Sequence, residues 1–180
     1  RIKNKFNIEN VYVSKRHKIP GGGLLRLKNL HQVSIKASVL LKKIINMGKG
    51  TSFIFSNLVE MGVNFLDEVF LENGFLPYGE DVFENSNTRC CYCGEIKGKE
   101  SAHKDHVFTP AKYVTFTGTT DISNLQSGVT HNKMELLNIF NNPDNSDGSV
   151  IKFILGSQVL SEGISLKNVK TVHLFDAHMN

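Results

Sequence analysis

The sequence predicts an α/β fold, an open parallel sheet with helices on both faces. Short apolar runs rich in β-forming residues recur at residues 51–56, 112–118, 150–157 and 169–175. Continuous apolar runs of this length are typical of strands that are buried on both faces. Segments with helical apolar spacing lie between several of these runs. Alternation of strands and helices favours crossover connections and therefore a parallel sheet.

The length and composition of the chain fit one compact domain with a small insertion. The chain has 180 residues, of which 40% are hydrophobic. No apolar run approaches the ~20 residues that a membrane-spanning helix needs, and no signal-peptide core opens the chain. We expect a soluble intracellular protein. Because the sequence begins at Arg1 rather than at a methionine, we also expect a fragment or a processed product.

The charge of the chain is unevenly distributed. Residues 1–50 hold 12 Lys and Arg and one acid, Glu9, whereas residues 51–180 carry a net charge of −7. A basic flank on an acidic domain favours contact with phosphates, and the alternative is a solvated arm. We therefore predict a basic flank or linker at residues 1–33 and a folded domain at residues 34–180.

Three segments have the apolar spacing of helices. "SIKASVLLKKIINMG" ends at Gly48, a plausible C-terminal cap. "LVEMGVNFLDEVFLENGF" follows the first strand, with Asn57 as its expected N-cap. "NKMELLNIFNN" covers residues 132–142. The expected buried positions are Ile35, Val39, Ile44 and Ile45 in the first segment, Leu58, Met61, Phe65, Leu66, Val69 and Phe70 in the second, and Met134, Leu137 and Phe140 in the third.

Residues 85–110 interrupt this pattern with a polar segment that contains "RCCYCGEIKGKESAHKDH". Cys90 and Cys93 form a C-x-x-C pair followed by Gly94, which is the tight turn of a zinc knuckle. His103 and His106 follow, and two sulfurs with two imidazole nitrogens make the closed tetrahedral shell of a structural zinc site. Because the segment is nearly coreless, metal binding would supply the free energy that orders it.

Other interpretations of the cysteines remain open. Cys91 could replace Cys90 as a ligand, and the whole segment could be a reduced surface loop with chance histidines. A disulfide framework is disfavoured, because three cysteines within four positions bridge poorly.

Polar residues follow the predicted strands at Phe55, Phe116, Leu155 and Phe175. The carboxyl ends of parallel strands meet at one edge of a sheet, where ligands gather. "GSQVLSEGISL" (156–166) places backbone amides, hydroxyls and a carboxylate there, although a simple turn between strands would also fit. "MGKGTS" (47–52) lacks the spacing of a phosphate-binding loop, because Lys43 and Gly50 stand where that loop needs a glycine and a hydroxyl residue.

Taken in order, "FIFSN", "NGF", "VTFTG" and "ELLNIFNNPDNSDGSVIKFILGSQVLSEGISLKNVKTVHLFD" resemble the second RecA-like lobe of superfamily 2 helicases. The likeness is greatest to the helicase-type ATPases of large cytoplasmic DNA viruses, a group that includes the poxvirus early transcription factor small subunit and nucleoside triphosphate phosphohydrolase I. It covers residues 34–180 and is most specific in the last 50. The resemblance implies a RecA-like sheet with the cysteine segment as an insertion.

The resemblance also implies site residues. In that family two lobes enclose ATP with Mg²⁺ and hold one nucleic-acid strand. The implied nucleic-acid contacts are Ser56, Asn57, Thr117, Gly118, Ser157 and Gln158. The implied ATP contacts are Glu162, Gly163 and Ser165. Many relatives carry an acid where Ser165 stands, which weakens the expected ribose contact.

By the same resemblance, the helicase motif that carries the arginine finger would follow Asn180, and the phosphate loop would lie in a first lobe. The chain alone should therefore be catalytically inactive. The implied partners are a DNA or RNA backbone, the first lobe and viral transcription machinery, in the host cytoplasm or the virion. Two alternatives are a non-hydrolysing, zinc-dependent binding module on a RecA-like scaffold and a chromatin-remodelling ATPase.

Overall fold

The computed structural model describes residues 11–117, 133–157 and 164–176. A five-stranded sheet has the order β4-β5-β6-β3-β7, and all its neighbouring pairs are parallel. Its strands are β3 (Thr51–Phe55), β4 (Leu76–Pro77), β5 (Lys112–Phe116), β6 (Phe153–Gly156) and β7 (Val169–Leu174). A separate antiparallel hairpin consists of β1 (Val11–Val13) and β2 (Pro20–Gly22).

The helices are α1 (Leu27–Leu30), α2 (Ile35–Ile45), α3 (Phe65–Glu72) and α4 (Lys133–Asn141). A π-helical turn, Val59–Asn64, leads into α3, and short 3-10 turns occupy Glu100–His103 and Pro143–Asn145. Within the described ranges, no helix has the length and apolar character that crossing a bilayer demands.

Apolar side chains pack against both faces of the sheet, as alternation along the strands requires. On one face, Tyr113 and Phe153 pack with α2 and α3. On the other face, Val114 and Ile154 pack with α4. The predicted α/β fold, a parallel sheet covered on both faces, is thus confirmed.

The phase of two predicted helices was partly wrong. In α2 the buried residues are Ala37, Leu40, Leu41 and Ile44 together with Ser38, whereas Ile35 and Val39 are exposed. In α4 the neighbours Leu136 and Leu137 are buried with Phe140, and Met134 is exposed. Leucines face the sheet in both helices, and of the β-branched residues of α2 only Ile44 is buried with them.

The start of the segment after β3 also differs from the prediction. Leu58, not Asn57, is the residue before the first helical turn, and it makes no side-chain cap. The wider π-helical turn changes the rotation of the chain, so Gly62 and Val63 are buried while Leu58 and Met61 are exposed. Gly62 is required there, because a Cβ would lie 1.8 Å from Ser56 Oγ.

The β1–β2 hairpin, part of the predicted basic flank, is fixed to α3 by polar contacts. Its centre is Asp67, whose carboxylate is fully buried. One oxygen lies 2.6 Å from both Arg16 Nε and His17 Nε2, and the other accepts from the Tyr113 hydroxyl at 2.6 Å. Arg16 also makes a two-pronged contact with Glu80, at 2.5 and 2.8 Å. The hairpin and the sheet therefore share one buried anion.

The ionisation of Asp67 depends on these partners. Burial alone would raise the pKa of Asp67. The hydrogen bond with His17, the charge of Arg16 and the Tyr113 hydroxyl outweigh burial, and the pKa lies below its ordinary value. Burial, followed by the charge of Asp67, raises the pKa of Tyr113, so its hydroxyl stays protonated and donates.

We expect Asp67→Ala to lower the free energy of unfolding by roughly 2–4 kcal/mol, because it leaves a buried hydroxyl and two basic side chains without their anion. The figure is below the largest buried-pair values because Arg16 keeps 34% of its side chain exposed. Urea denaturation measures the change, with the exposed Asp81→Ala as control. Equal losses in the two variants would contradict this role for Asp67.

The same carboxylate predicts a pH dependence. Since the folded-state pKa is lowered, the ionised Asp67 stabilises the fold at every pH above its unfolded value of 3.8. That stabilisation is lost as the pH falls from there through the folded-state pKa. The difference in urea midpoint between wild type and Asp67→Asn should therefore shrink as the pH falls below this value. A difference that stays constant or grows below pH 3.8 would refute the assignment.

Candidate metal centre and the carboxyl edge of the sheet

The insertion between β4 and β5 is closed by main-chain pairing. Residue 91 donates its N–H to the Thr109 carbonyl at 2.8 Å, and Ala111 donates to the Arg89 carbonyl at 2.8 Å. A tight turn then reverses the chain, with Gly94 N–H donating to the Cys90 carbonyl at 3.0 Å. This arrangement directs the cysteines on one side of the turn toward the histidines that follow.

Four side chains converge there: Cys90, Cys93, His103 and His106. Their ligand atoms all lie within 4.8 Å of one another. Cys90 Sγ is 3.3 Å from His106 Nε2, and Cys93 Sγ is 3.5 Å from His103 Nδ1. The two imidazole nitrogens are 3.5 Å apart. All four predicted metal ligands are therefore brought together.

These separations fit a tetrahedral zinc ion. Bonds of about 2.3 Å to sulfur and about 2.0–2.1 Å to nitrogen place a sulfur and a nitrogen about 3.5 Å apart, and two nitrogens about 3.4 Å apart. The outer nitrogen of His103, Nε2, lies 3.0 Å from the Ile96 carbonyl. A ligating histidine donates its second N–H to such an acceptor, which fixes the tautomer.

Cys91 takes a different role from its neighbours. Its side chain is 1% exposed and belongs to the apolar cluster under α2 and α3. Burial, followed by the charge of Cys90, raises the pKa of the Cys91 thiol to about 12. The geometry therefore favours Cys90 over Cys91 as the sulfur ligand.

The turn is anchored to the rest of the fold through Gly94 and Arg89. Gly94 has a φ of +73°, and a Cβ on it would lie 2.0 Å from the Ile45 carbonyl at the end of α2. Arg89 donates to the carbonyls of Asn73, after α3, and of Gly94, at 2.8 and 2.7 Å. The metal-ligand cluster thus sits against the ends of both helices.

A second set of polar residues lies where the strands end. We call Thr117, Ser157, Ser56 and Asp176 the strand-end row, since they follow β5, β6, β3 and β7 in sheet order. Main-chain hydrogen bonds fix the row: Ser157 N–H to the Phe116 carbonyl at 3.1 Å and Ser56 N–H to the Gly156 carbonyl at 3.0 Å.

Asp176 organises one end of this row. It accepts hydrogen bonds from the Ser56 hydroxyl and from the Asn57 N–H, at 2.6 Å. Ser56 and Ser157 are buried, while Asn57 and Thr117 are half-buried. Ser56 therefore holds the loop after β3 in place and does not offer its hydroxyl to solvent.

Comparison with known proteins gives relatives that cover nearly the whole chain. A protein of Acanthamoeba polyphaga mimivirus, named as a candidate ATP-dependent RNA helicase, is 34% identical over 99% of the chain. The early transcription factor 70 kDa subunit of Melanoplus sanguinipes entomopoxvirus is 29% identical over 94%. The early transcription factor large subunit homolog of African swine fever virus is 28% identical over 92%. No family model matches the chain.

The homologues are viral helicases and viral early transcription factor subunits. The predicted resemblance to viral helicase-type proteins is thereby confirmed. The chain spans 17% of the mimivirus protein, 23% of the entomopoxvirus subunit and 14% of the African swine fever virus protein.

Of the other predicted nucleic-acid and ATP contacts, one lies within the described residues and four do not. Among the nominated ATP contacts, Ser165 is exposed, and its carbonyl accepts from the Asn141 side chain at 2.9 Å. Gly118, Gln158, Glu162 and Gly163 lie outside the described residues. The sequence placed Asp176 in the loop after the last predicted strand, at the expected ligand edge, but gave it no specific contact. Sequence reasoning missed Asp67, an acid inside an apolar helical stripe.

We expect the purified chain to hold about one zinc ion, with Cys93→Ser abolishing it. Loss of one thiolate opens the shell, so the variant should also melt at a lower temperature. Metal analysis and thermal unfolding with and without a chelator measure both effects. Cys91→Ala serves as control and should keep its zinc. A metal-free wild type whose melting temperature is unaffected by zinc would rule out the site.

Proposed function

We propose that the chain is the second RecA-like lobe of an ATP-dependent nucleic-acid helicase or translocase with a role in viral transcription. The observation that carries this proposal is the strand-end row on a parallel sheet in a chain whose homologues are helicases and early transcription factor subunits. Such an edge is where RecA-like and other open α/β sheets bind their ligands.

In this proposal the strand-end row faces the nucleic acid. The side chains of Asn57, Thr117, Ser157 and Gln158, with the main chain at Gly118, supply donors to the phosphates. Contacts of this kind position a strand but read no base sequence. Ser56 acts indirectly, by holding the loop through Asp176. The proposed partner is a DNA or RNA backbone, and the activity needs a first lobe.

ATP with Mg²⁺ would bind between the two lobes, with Glu162, Gly163 and Ser165 on this side. Binding of the nucleotide would supply the free energy for lobe closure, and hydrolysis would allow the lobes to reopen. The chain alone carries no phosphate loop, so its own residues contribute binding and orientation. We propose that Zn²⁺ in the Cys90, Cys93, His103 and His106 shell is structural, since four protein ligands leave no open position.

The proposal is tested by an ATPase assay on a two-lobe protein that contains this chain. Single-stranded nucleic acid should stimulate hydrolysis in the two-lobe protein, and the 180-residue chain alone should show none. Asp176→Asn should raise the half-saturating nucleic-acid concentration about tenfold or more, because it misplaces the loop after β3. The KM for ATP should change little.

The exposed Asp144→Asn is the matched control and should behave as wild type. Hydrolysis by the 180-residue chain alone at the rate of the two-lobe protein would overturn the proposal. So would a folded two-lobe protein without ATPase activity.

The Cys/His cluster supports a second candidate function, a non-hydrolysing zinc-dependent binding module on the same scaffold. It predicts that Cys93→Ser weakens binding to nucleic acid or protein while ATP leaves the affinity unchanged. A nucleic-acid affinity that responds to ATP in the two-lobe protein would exclude this alternative.

A further inference from the structure

A basic groove lies between α2 and β7, with residues of both elements in its lining. This α2–β7 groove has a volume of about 620 Å³. Its cations are Lys42 and Lys43, from the last turn of α2, and Lys170 from β7. Val39 and Met47 supply apolar surface. None of the described residues that line it is acidic.

The positive charge of the groove is exposed, and no acidic side chain among the described lining residues neutralises it. Lys42 and Lys43 are exposed, and Lys170 donates to the Lys49 carbonyl at 2.9 Å, which leaves its charge in place. Burial, followed by the charge of Lys43, lowers the pKa of His173 in the same groove. The three exposed lysines give the groove a positive local potential, which an anion would relieve.

The lysines of α2 connect this groove to the strand-end row. Lys36, Val39 and Lys43 share one face of the helix, since residues three, four and seven apart lie above one another. Lys36 Nζ lies 5.2 Å from the centre of the Phe175 ring. Phe175 directly precedes Asp176 of the strand-end row. At the other end of the helix, the Thr171 hydroxyl lies 3.2 Å from Met47 Sδ. Lys36 and Lys43 therefore form a basic stripe that starts at the strand-end row and extends about 10 Å along α2, beside β7.

We propose that the α2–β7 groove binds the phosphates of a nucleic-acid strand that continues from the strand-end row along α2. The choice of nucleic acid rests on the proposed function, whereas the site itself rests on the geometry of the stripe. Lysines, an asparagine and a threonine present donors to phosphate oxygens, and the apolar residues between them suit a sugar or a base face.

An acidic protein segment is the competing occupant, and the linear course of the stripe disfavours it. A phosphodiester chain carries evenly spaced charges and can meet the strand-end row and all three α2 lysines in one path. The lysine charge of the groove thus extends the proposed track from the carboxyl edge of the sheet to its lateral edge.

The test measures binding of a fluorescein-labelled oligothymidylate of about 20 nucleotides, long enough for the row and the groove together. The zinc-loaded 180-residue chain is used without ATP, so the outcome is independent of hydrolysis. The groove variant is Lys36→Gln, Lys42→Gln and Lys43→Gln combined. These lysines are exposed, and glutamine keeps helix propensity. The control removes the same charge elsewhere, as Lys28→Gln, Lys97→Gln and Lys99→Gln.

We expect the groove variant to bind at least about tenfold more weakly at low salt. The slope of log affinity against log salt should fall by about 2, because each cation that neutralises a phosphate on a single strand adds about 0.7 to that slope. The control should keep the wild-type slope. Unchanged circular dichroism and melting temperature verify that both variants fold, and Lys43→Glu alone provides a second variant with the same expected direction.

Four outcomes would overturn the inference. They are a wild type that does not bind the oligonucleotide, a groove variant that binds like wild type, equal losses in both triple variants, and a polyglutamate peptide that binds the groove more tightly than the oligonucleotide. The last result would assign the groove to an acidic protein. None of them bears on ATP hydrolysis by a two-lobe protein, so the proposed function can fail or stand separately.

Discussion

The rest of the structure depends on the parallel pairing of β3 with its two neighbours. Ile54 pairs with Leu155 of β6 on one side and with His173 of β7 on the other, although about 100 residues separate these partners in sequence. This pairing sets the strand-end row, because strands held in register end together. It also places α2 over β7, so the α2–β7 groove follows from the same constraint. Non-local pairing of this kind is costly in chain entropy and is stabilised by burial on both faces.

The insertion is ordered by different physics from the sheet that carries it. Its main-chain bonds join residues 89–91 to residues 109–111, and the described side chains between them contribute little to the apolar core. Four converging ligand atoms and the close contact of Gly94 with the end of α2 replace that missing burial. A metal in this cluster would therefore fix the ends of α2 and α3, one of which carries the lysines of the groove.

Sequence patterns predicted the sheet better than the helices. The strands β3, β5 and β6 are mostly buried on both faces, so their apolar runs identify them whatever their register. The edge strand β7 alternates half-buried and exposed residues, which is also a strand pattern. Which face of a helix is buried depends on the exact position of each apolar residue. The π-helical turn with its buried Gly62 could not be anticipated from apolar spacing. The edge strand Leu76–Pro77 was too short to detect. The convergence of Cys90, Cys93, His103 and His106 could be predicted because their spacing along the chain is short. Asp67 instead draws its partners from segments about 50 residues away on either side.

The Asp67 network has a mechanical consequence for the proposed lobe. Apolar contacts tolerate sliding, but a carboxylate held by Arg16, His17 and Tyr113 has one geometry in which all its partners are satisfied. Removing water from such a group is expensive, so an arrangement that leaves any of these partners unsatisfied is disfavoured. The β1–β2 hairpin must then move with α3 and the sheet as one body. Any motion between lobes would be taken up outside this interlock, and the groove and the strand-end row would keep their relative positions.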